Sequence, residues 1–245
     1  MNKKKIYSFL NNNLKKYEVV YITSDLRGLL FNQVFNNANE LCLFFLKYFL
    51  KRKKTIIVPT FSFTNKGKFY IETTPTNLSF FSKWILKQKK VMRSSHPIFS
   101  TSALGPKKKI VENIGKSAFG KNSIYQKMLF EKSCLLHIGR PFELGNTSIH
   151  CVEELVGVEY RYLKKFKTKV YKKGKFFSSG FSAFVRKRKI KTTNTLKIAK
   201  IFRKKKLIKE IGDRNILTNI SIIDYKKSIS TMIDSLKKDK RVFLN

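Results

Sequence analysis

The sequence is poor in acidic residues, histidine and cysteine. Asp and Glu number 15 in 245 residues against 53 Lys and Arg, which gives a formal net charge of +38 at neutral pH. The three cysteines, Cys42, Cys134 and Cys151, give an odd count and form no C-x-x-C, so the sequence predicts reduced thiols in a cytoplasmic protein and not a disulfide scaffold. The three histidines form no H-E-x-x-H or other closely paired motif, and we therefore expect no metal site.

Two other kinds of segment are missing. There is no G-x-x-x-x-G-K and no G-x-G-x-x-G, so nothing supports ATP or NAD chemistry. The most apolar stretch, residues 41–50, is about half a bilayer span and contains Lys47, so we expect no membrane-spanning segment. The start of the chain has too short an apolar run for a signal peptide.

The pattern of apolar runs predicts an α/β fold with a mixed, partly parallel central sheet flanked by helices. A hydrophobic content of 42% is enough to bury a sizeable core, and we expect one domain over residues 1–245. The alternation of a strand, a helix and a strand requires a crossover and hence parallel pairing. Helices are predicted at 6–16, 36–50, 79–90 and 107–114, buried strands at 18–22, 55–58 and 133–139, and a loop followed by a strand or turn at 93–105.

Residues 161–209 hold twenty Lys or Arg and no Asp or Glu. This basic segment is either an anion site, for nucleic acid, a phosphorylated cofactor or a nucleotide-linked substrate, or a solvated, strand-rich surface of a lysine-biased chain. The aromatic side chains within it are candidates for base stacking, but one apolar face of a hairpin turned at 178–180 is favoured. They are Phe176, Phe177, Phe181 and Phe184.

Residues 143–159 have the opposite character, with four acidic residues and no Lys or Arg. His150 and Glu153 lie three residues apart and share one face if the segment is helical. Asn146 and Thr147 are good N-caps, which places His150 in the first turn, where the helix dipole disfavours the imidazolium. A neutral imidazole beside carboxylates suits the binding and deprotonation of a cationic amine, with Glu153 either orienting the imidazole or binding the ammonium.

Two neighbouring residues have simpler interpretations. Cys151 is adjacent to His150, but consecutive helical residues point to different faces, so we expect core packing and not a nucleophile. His137 lies within an apolar strand and is expected to be a hydrogen-bonded core histidine. The main alternative for the whole chain, a non-enzymatic basic nucleic-acid-binding protein, leaves the acidic segment unexplained, and a nucleic-acid partner is not expected.

Several motifs occur in an order that resembles the aminoglycoside 3-N-acetyltransferase family, also called the antibiotic N-acetyltransferase family. The resemblance covers about residues 18–169, and its distinctive parts are R-S-x-H-P and T-x-x-H-x-x-E. The segments are T-S-D-L-R-G-L at 23–29, V-P-T-F-S-F at 58–63, R-S-S-H-P-I-F-S at 93–100, A-L-G-P at 103–106 and N-T-S-I-H-C-V-E-E at 146–154.

The resemblance implies acetyl transfer from acetyl-CoA to an amine of a sugar ring, without a metal. It implies that His150 and Glu153 are catalytic, and that loops near the cofactor supply its contacts. The expected cofactor-binding residues are Ser24, Leu26, Arg93, Ser94 and His96, and the acids expected to bind the cationic acceptor are Asp25, Glu143 and Glu154. Backbone N–H groups of the 23–26 and 93–97 loops are candidates for stabilising the oxyanion in a direct transfer within a ternary complex.

The sequence departs from the family pattern at two places. Thr23 stands where a histidine is common, and Leu78-Ser79 where many members have Met-Gly, which affects the acyl pocket and substrate specificity respectively. The acceptor is left open between an aminoglycoside and a nucleotide-linked amino sugar. The net charge slightly favours the second, because aminoglycosides are polycations that a basic protein repels.

Overall fold

The computed structural model describes residues 1–190 and 193–244. In this part of the chain the strands are β1 (Val19–Ser24), β2 (Thr55–Pro59), β3 (Lys66–Tyr70), β4 (Met92–Arg93), β5 (Thr101–Leu104), β6 (Ser133–Ile138), β7 (Arg161–Lys165), β8 (Lys167–Lys172), β9 (Lys175–Ser178), β10 (Ser182–Arg186), β11 (Ile208–Ile211) and β12 (Ile220–Asp224). The helices are α1 (Lys3–Leu14), α2 (Arg27–Phe31), α3 (Ala38–Lys51), α4 (Phe80–Leu86), α5 (Ile124–Lys127), α6 (Ile149–Val156), α7 (Thr195–Lys204) and α8 (Tyr225–Lys238).

A mixed seven-stranded sheet forms the centre of the described chain, in the order β11-β12-β6-β1-β2-β5-β4. The middle strand, β1, pairs in parallel with both β2 and β6, and the outer strands pair antiparallel. Two small sheets stand apart from it, β7-β10 and β3-β8-β9. The predicted fold class, a mixed and partly parallel sheet flanked by helices, is confirmed.

Helices cover both faces of the central sheet, which is why its parallel strands read as continuous apolar runs. Successive side chains of a strand point to opposite faces. In β1, Val20 and Ile22 pack into the core formed with α1, α3 and α4, while Val19 and Tyr21 pack into the core formed with α5, α6, α7 and α8. The second face carries the candidate site.

Two local predictions were wrong. Only a short 3-10 turn, Lys108–Val111, forms where a helix over 107–114 was predicted, because the backbone of Glu112 is extended, with a ψ of 162°, and Asn113 then takes a positive φ of 46°. The hairpin turned at 178–180 does not form, because β9 pairs with β8 and β10 pairs with β7. Phe181 is buried, whereas Phe176 and Phe177 are about half exposed.

The basic segment contains strands β7 to β10, then α7 and β11, with residues 191 and 192 outside the described residues. The three cysteines are unpaired and buried. Within residues 1–190 and 193–244, no helix has the length and apolar character to cross a bilayer. In the same ranges, no cluster of three His, Cys, Asp or Glu side chains is placed to hold a metal.

Candidate active site

The candidate site lies where the chain leaves β6 and enters α6. Gly139 makes the turn after β6 with a φ of 61°, and a Cβ there would lie 2.0 Å from the carbonyl oxygen of Asp25. Glycine is therefore required for this close approach to the end of β1. The N-cap of α6 is Ser148, not Asn146 or Thr147 as predicted. The side-chain oxygen of Asn146 accepts hydrogen bonds from the N–H of Ser148 at 2.9 Å and from its Oγ at 2.6 Å.

His150 occupies the first turn of α6, as predicted, and forms a dyad with Glu153. Nδ1 of His150 lies 2.7 Å from Oε2 of Glu153. The side chain of Glu153 is fully buried and that of His150 is 27% exposed. A carboxylate only accepts hydrogen bonds, so Nδ1 carries the proton and Nε2 is the basic nitrogen. Within the described residues, no protein group hydrogen bonds to Nε2, which leaves it available to a substrate.

Glu153 is held by three further groups. Its Oε2 lies 2.7 Å from Nε of Arg161, and its Oε1 accepts hydrogen bonds from the hydroxyls of Tyr160 at 3.1 Å and Thr193 at 2.8 Å. Burial would raise the pKa of Glu153, but the hydrogen bond from His150 and the charge of Arg161 hold it below its ordinary value. With both oxygens occupied inside the protein, Glu153 can orient the imidazole and has no oxygen left for an ammonium.

The surroundings of His150 favour the neutral imidazole. Burial lowers its pKa, the hydrogen bond from Nδ1 to Glu153 raises it, and the positive charge of Arg161 lowers it again, with a net lowering. Phe119 packs edge-on against the ring, with centroids 5.2 Å apart, and Phe99 packs against Phe119 at 4.8 Å. The site therefore joins a neutral base to an aromatic wall.

Glu154 supplies a second carboxylate next to His150. The two residues are four apart in α6 and are neighbours on the helix surface. The carboxylate accepts hydrogen bonds from Oγ of Ser117 at 2.8 and 3.0 Å, and no Lys or Arg of the described residues lies within 4.0 Å of it. Burial raises the pKa of Glu154. Binding of a cationic acceptor by Glu154 stays a prediction.

Most polar atoms of Arg93 form hydrogen bonds within the protein. Its guanidinium donates to the carbonyl oxygens of Thr60, at 2.7 Å, and Thr74, and its Nε donates to Oγ of Ser100 at 3.2 Å. It also lies 4.9 Å from the ring centre of Phe69. These contacts tie the end of β2 to the chain around β3 and β5.

His96 and Ser94 brace the same loop. Nδ1 of His96 accepts from the N–H groups of Ile98 and Phe99 at 3.3 and 3.1 Å, so Nε2 carries the proton and donates to the carbonyl oxygen of Ser182 at 3.0 Å. Burial lowers the pKa of His96 to about 4. Ser94 Oγ accepts from the N–H of Thr101 at 2.9 Å. Contact of these residues with a cofactor stays a prediction.

The loop after β1 contains the other predicted cofactor and acceptor residues. Oγ of Ser24 lies 3.1 Å from Oγ of Ser79, and Leu26 is buried at the start of α2. Asp25 is ion-paired with Arg27, at 2.5 Å, so its charge is compensated within the loop. Their roles toward a ligand also stay predictions.

Glu143 lies in an ion-pair cluster with residues of α7 and β11. Its carboxylate is 2.7 Å from Arg203 and 3.3 Å from Arg214, and Arg203 also pairs with Glu210 at 2.6 Å. Of the predicted acids, the structure brings Glu153 into contact with His150, and Glu154 lies on the same helix with its carboxylate on Ser117. Among the described contacts, none joins Asp25 or Glu143 to that histidine.

Sequence reasoning missed three groups that surround the dyad. Tyr160 and Arg161 directly follow the acidic segment, so their position in the sequence was a usable signal. Thr193 follows Glu153 by 40 residues, and no sequence pattern connects them. Two of the backbone donors expected for an oxyanion, the N–H groups of Asp25 and Ser94, bind the carbonyl oxygens of Ile138 and Thr101 at 2.9 Å; the role of the remaining N–H groups of the two loops stays a prediction.

His137 is buried, as expected, and hydrogen bonded behind the start of α6. Because the Asn146 side-chain oxygen is occupied by Ser148, its amide nitrogen donates to Nε2 of His137 at 3.4 Å, and Nδ1 of His137 donates to Oγ1 of Thr23 at 2.8 Å. Burial lowers the pKa of His137 to about 3, so this ring stays neutral. Thr23 thus fixes His137 on β6, and His137 fixes the loop that leads to His150.

Comparison with solved structures shows where this fold occurs. The apoenzyme of aminoglycoside acetyltransferase AAC(3)-IVa is 18% identical over 100% of this chain and 91% of its own, with a TM-score of 0.77. AAC-VIa bound to sisomicin is 15% identical over 97% of this chain and 98% of its own, with a TM-score of 0.79. YokD from Bacillus subtilis is 17% identical over 98% and 100%, with a TM-score of 0.77.

Sequence comparison settles the family. No curated protein sequence matches the chain. The sequence model of one family, aminoglycoside 3-N-acetyltransferase, matches residues 31–220, which are 190 of the 245 residues. The chain therefore belongs to the aminoglycoside 3-N-acetyltransferase family of acyltransferases.

Proposed function

We propose that the protein transfers the acetyl group of acetyl-CoA to an amino group of an aminoglycoside-type amino sugar, with His150 as the general base and Glu153 as its orienting partner. The observation that carries the proposal is the dyad: Nδ1 of His150 is bound to a buried carboxylate, and Nε2 is free of protein partners among the described residues. Membership of an acyltransferase family supports an enzyme over the non-enzymatic nucleic-acid-binding alternative.

The chemistry requires one proton acceptor on the enzyme. An ammonium must lose a proton before its nitrogen can attack the thioester carbonyl, and Nε2 of His150 takes that proton. The new C–N bond forms as a tetrahedral oxyanion develops, and the C–S bond then breaks. The imidazolium gives its proton to the departing thiolate, which becomes CoA. The nitrogen loses its second proton to water, and the other product is the amide.

Glu154 supports a cationic acceptor. Its carboxylate has no Lys or Arg partner among the described residues and lies one helical turn from His150. An ammonium bound there would compensate the charge, and the pKa of Glu154, which burial raises, would fall. Relatives of this fold have been solved with aminoglycosides: AAC-VIa with sisomicin, and a histidine-to-alanine variant of AAC(3)-IVa with apramycin.

Acetyl-CoA is proposed as the donor because of the family. Ser24 and Leu26 follow the carboxyl end of β1, at the edge of a partly parallel sheet where ligands of α/β folds commonly bind. Arg93, Ser94 and His96 would contribute mainly by fixing the shape of the adjoining loop, since their polar atoms are engaged within the protein.

A nucleotide-linked amino sugar is a second candidate acceptor, because the β3-β8-β9 sheet carries a row of exposed lysines that could attract its phosphates. On the solvent face of the small sheet, Lys66 stands opposite Lys167, and Lys68 opposite Lys169. All four side chains are exposed, and like charges placed opposite each other are unfavourable until an anion is near. Attraction to phosphates would make kcat/KM fall steeply with rising salt, whereas a polycationic aminoglycoside would show a weak or opposite trend.

The test is CoA release measured with acetyl-CoA against a panel of aminoglycosides and nucleotide-linked amino sugars, at low and physiological ionic strength. The proposal predicts turnover of at least one aminoglycoside. Turnover of nucleotide-linked acceptors alone, with a steep salt dependence, would replace the proposed acceptor with the second candidate. A folded protein that shows no CoA release with any amine would contradict the proposed reaction.

A further inference from the structure

Arg161 contacts the catalytic dyad from outside α6. It begins β7, and its Nε lies 2.7 Å from Oε2 of Glu153, the same oxygen that accepts the proton of His150 Nδ1. Only 7% of its side chain is exposed. The guanidinium is therefore a buried positive charge that shares one carboxylate oxygen with the imidazole.

Two further hydrogen bonds fix the direction of this guanidinium. Nη1 donates to the carbonyl oxygen of Phe184 at 3.2 Å, and Nη2 donates to Oγ1 of Thr193 at 3.2 Å. Thr193 in turn donates to Oε1 of Glu153 at 2.8 Å. Arg161, Thr193 and Glu153 thus form a closed ring of contacts, which holds both carboxylate oxygens in place.

The charges of His150, Glu153 and Arg161 sum to zero only when His150 is neutral. Glu153 and Arg161 cancel each other, so an added proton on His150 would leave one net positive charge in a buried cluster. Without Arg161 the balance reverses: the carboxylate would be uncompensated, and an imidazolium paired with it would be favoured.

We propose that Arg161 is a positioning residue of the reaction, which neutralises and orients Glu153 so that His150 stays unprotonated at Nε2. The proposal rests on the proposed function of His150 as the base. Among the described Lys and Arg side chains of the basic segment, Arg161 is the one that pairs with Glu153.

Four other charged or titratable groups of the described residues act on the dyad or lie near it. Tyr160 donates to Glu153 from the chain just before β7, and Glu154 follows on α6. Arg186 on β10 stands opposite Arg161 in the sheet register and acts on its pKa, and Asp239 after α8 acts on the pKa of Tyr160. Of these, Arg186 is exposed and serves as the matched control.

The test is an NMR titration of the imidazole resonances, which needs no substrate. The chain has three histidines, and burial keeps the pKa values of His96 and His137 at about 4 and about 3. The signal of His150 is identified by its loss in His150→Ala.

In Arg161→Gln we expect the His150 midpoint to rise by about one pH unit or more, the usual effect of one nearby charge. In Arg161→Lys, which keeps the charge, and in Arg186→Gln, the midpoint should stay near that of the unchanged protein. An unmoved midpoint in folded Arg161→Gln, or an equal rise in Arg186→Gln, would overturn the proposal.

Measurements of activity distinguish a failure of this proposal from a failure of the proposed function. The acid limb of the kcat/KM profile should move to higher pH in Arg161→Gln by the same amount as the NMR midpoint, with a smaller loss on the alkaline side. If His150→Ala retains activity, the proposed function fails, but the NMR result still decides what Arg161 does. If Arg161→Gln does not fold, Arg161→Met, which also removes the charge but keeps an unbranched side chain, is titrated in its place, and a His150 midpoint that does not rise in folded Arg161→Met contradicts the proposal.

Discussion

Replacing Arg93 with alanine should destabilise the protein strongly, although the motif that contains it resembles a cofactor-binding element. The substitution removes the donors to the carbonyl oxygens of Thr60 and Thr74 and to Oγ of Ser100, as well as the contact with Phe69. It therefore removes the side chain that links the end of β2 to the chain after β3 and to the residue before β5.

The magnitude follows from these contacts. Three hydrogen bonds from a charged donor contribute about 1.5–3 kcal/mol each. Part of that sum is offset because a buried guanidinium is poorly solvated, which also lowers the pKa of Arg93 to about 10. The net loss in Arg93→Ala should be about 3–5 kcal/mol, as is usual when one member of a buried charged network is removed. Arg93→Lys should recover part of it, because an ammonium cannot match the planar fork of donors.

The assay is urea denaturation followed by circular dichroism. With an m value of about 3 kcal/mol/M, the midpoint should fall by about 1–1.7 M in Arg93→Ala. Arg188→Ala, which removes an exposed arginine, is the control and should leave the midpoint unchanged. An unchanged midpoint in Arg93→Ala together with a raised KM for acetyl-CoA would refute the structural role argued for this residue.

Three further predictions concern other parts of the molecule. The pKa of His96 falls from 6.5 in the unfolded chain to about 4 when folded, so its stabilising contribution is complete above pH 6.5 and lost as the pH falls toward 4. His96→Gln should reduce the slope of unfolding free energy against pH in that window by about 1.4 kcal/mol per unit, measured by urea denaturation; an unchanged slope would contradict the assignment. Glu154→Gln should raise KM for the amine about tenfold or more with little change in kcat, the effect of losing one hydrogen bond to a charged group, and an unchanged KM in steady-state kinetics would remove Glu154 from the acceptor site. Acetyl-CoA at about a hundred times its dissociation constant should stabilise the fold by about 2.7 kcal/mol, and no thermal shift at millimolar concentration would count against the proposed donor.

The central sheet was predictable because its strands are buried on both faces and are bounded by clear turns. The strands at 18–22, 55–58 and 133–139 were placed within two residues of β1, β2 and β6. The end of the chain was harder to predict. Strand β12 and helix α8 gain their stability from packing against β6 and α6, and such long-range contacts leave little local signal.

The candidate site shows the same division. His150 and Glu153 were predictable because three residues separate them on one helical turn, so sequence spacing alone gives the contact. Arg93 and His96 have the side chains of a ligand site, but partners distant in the sequence, such as Thr60 and Ser182, occupy their polar atoms, and sequence spacing does not reveal such contacts. Thr193 was out of reach of sequence reasoning because only the folded chain brings it to the dyad.

The measurement that tests the account most directly is the turnover of His150→Ala with acetyl-CoA and an aminoglycoside that the unchanged protein acetylates, followed by CoA release. His150 is 27% exposed, so we expect the variant to fold, and its thermal denaturation should confirm this. Loss of a general base predicts a fall in kcat of about a hundredfold or more across the pH range. A folded His150→Ala protein with near-normal turnover would contradict the assignment of His150 as the base.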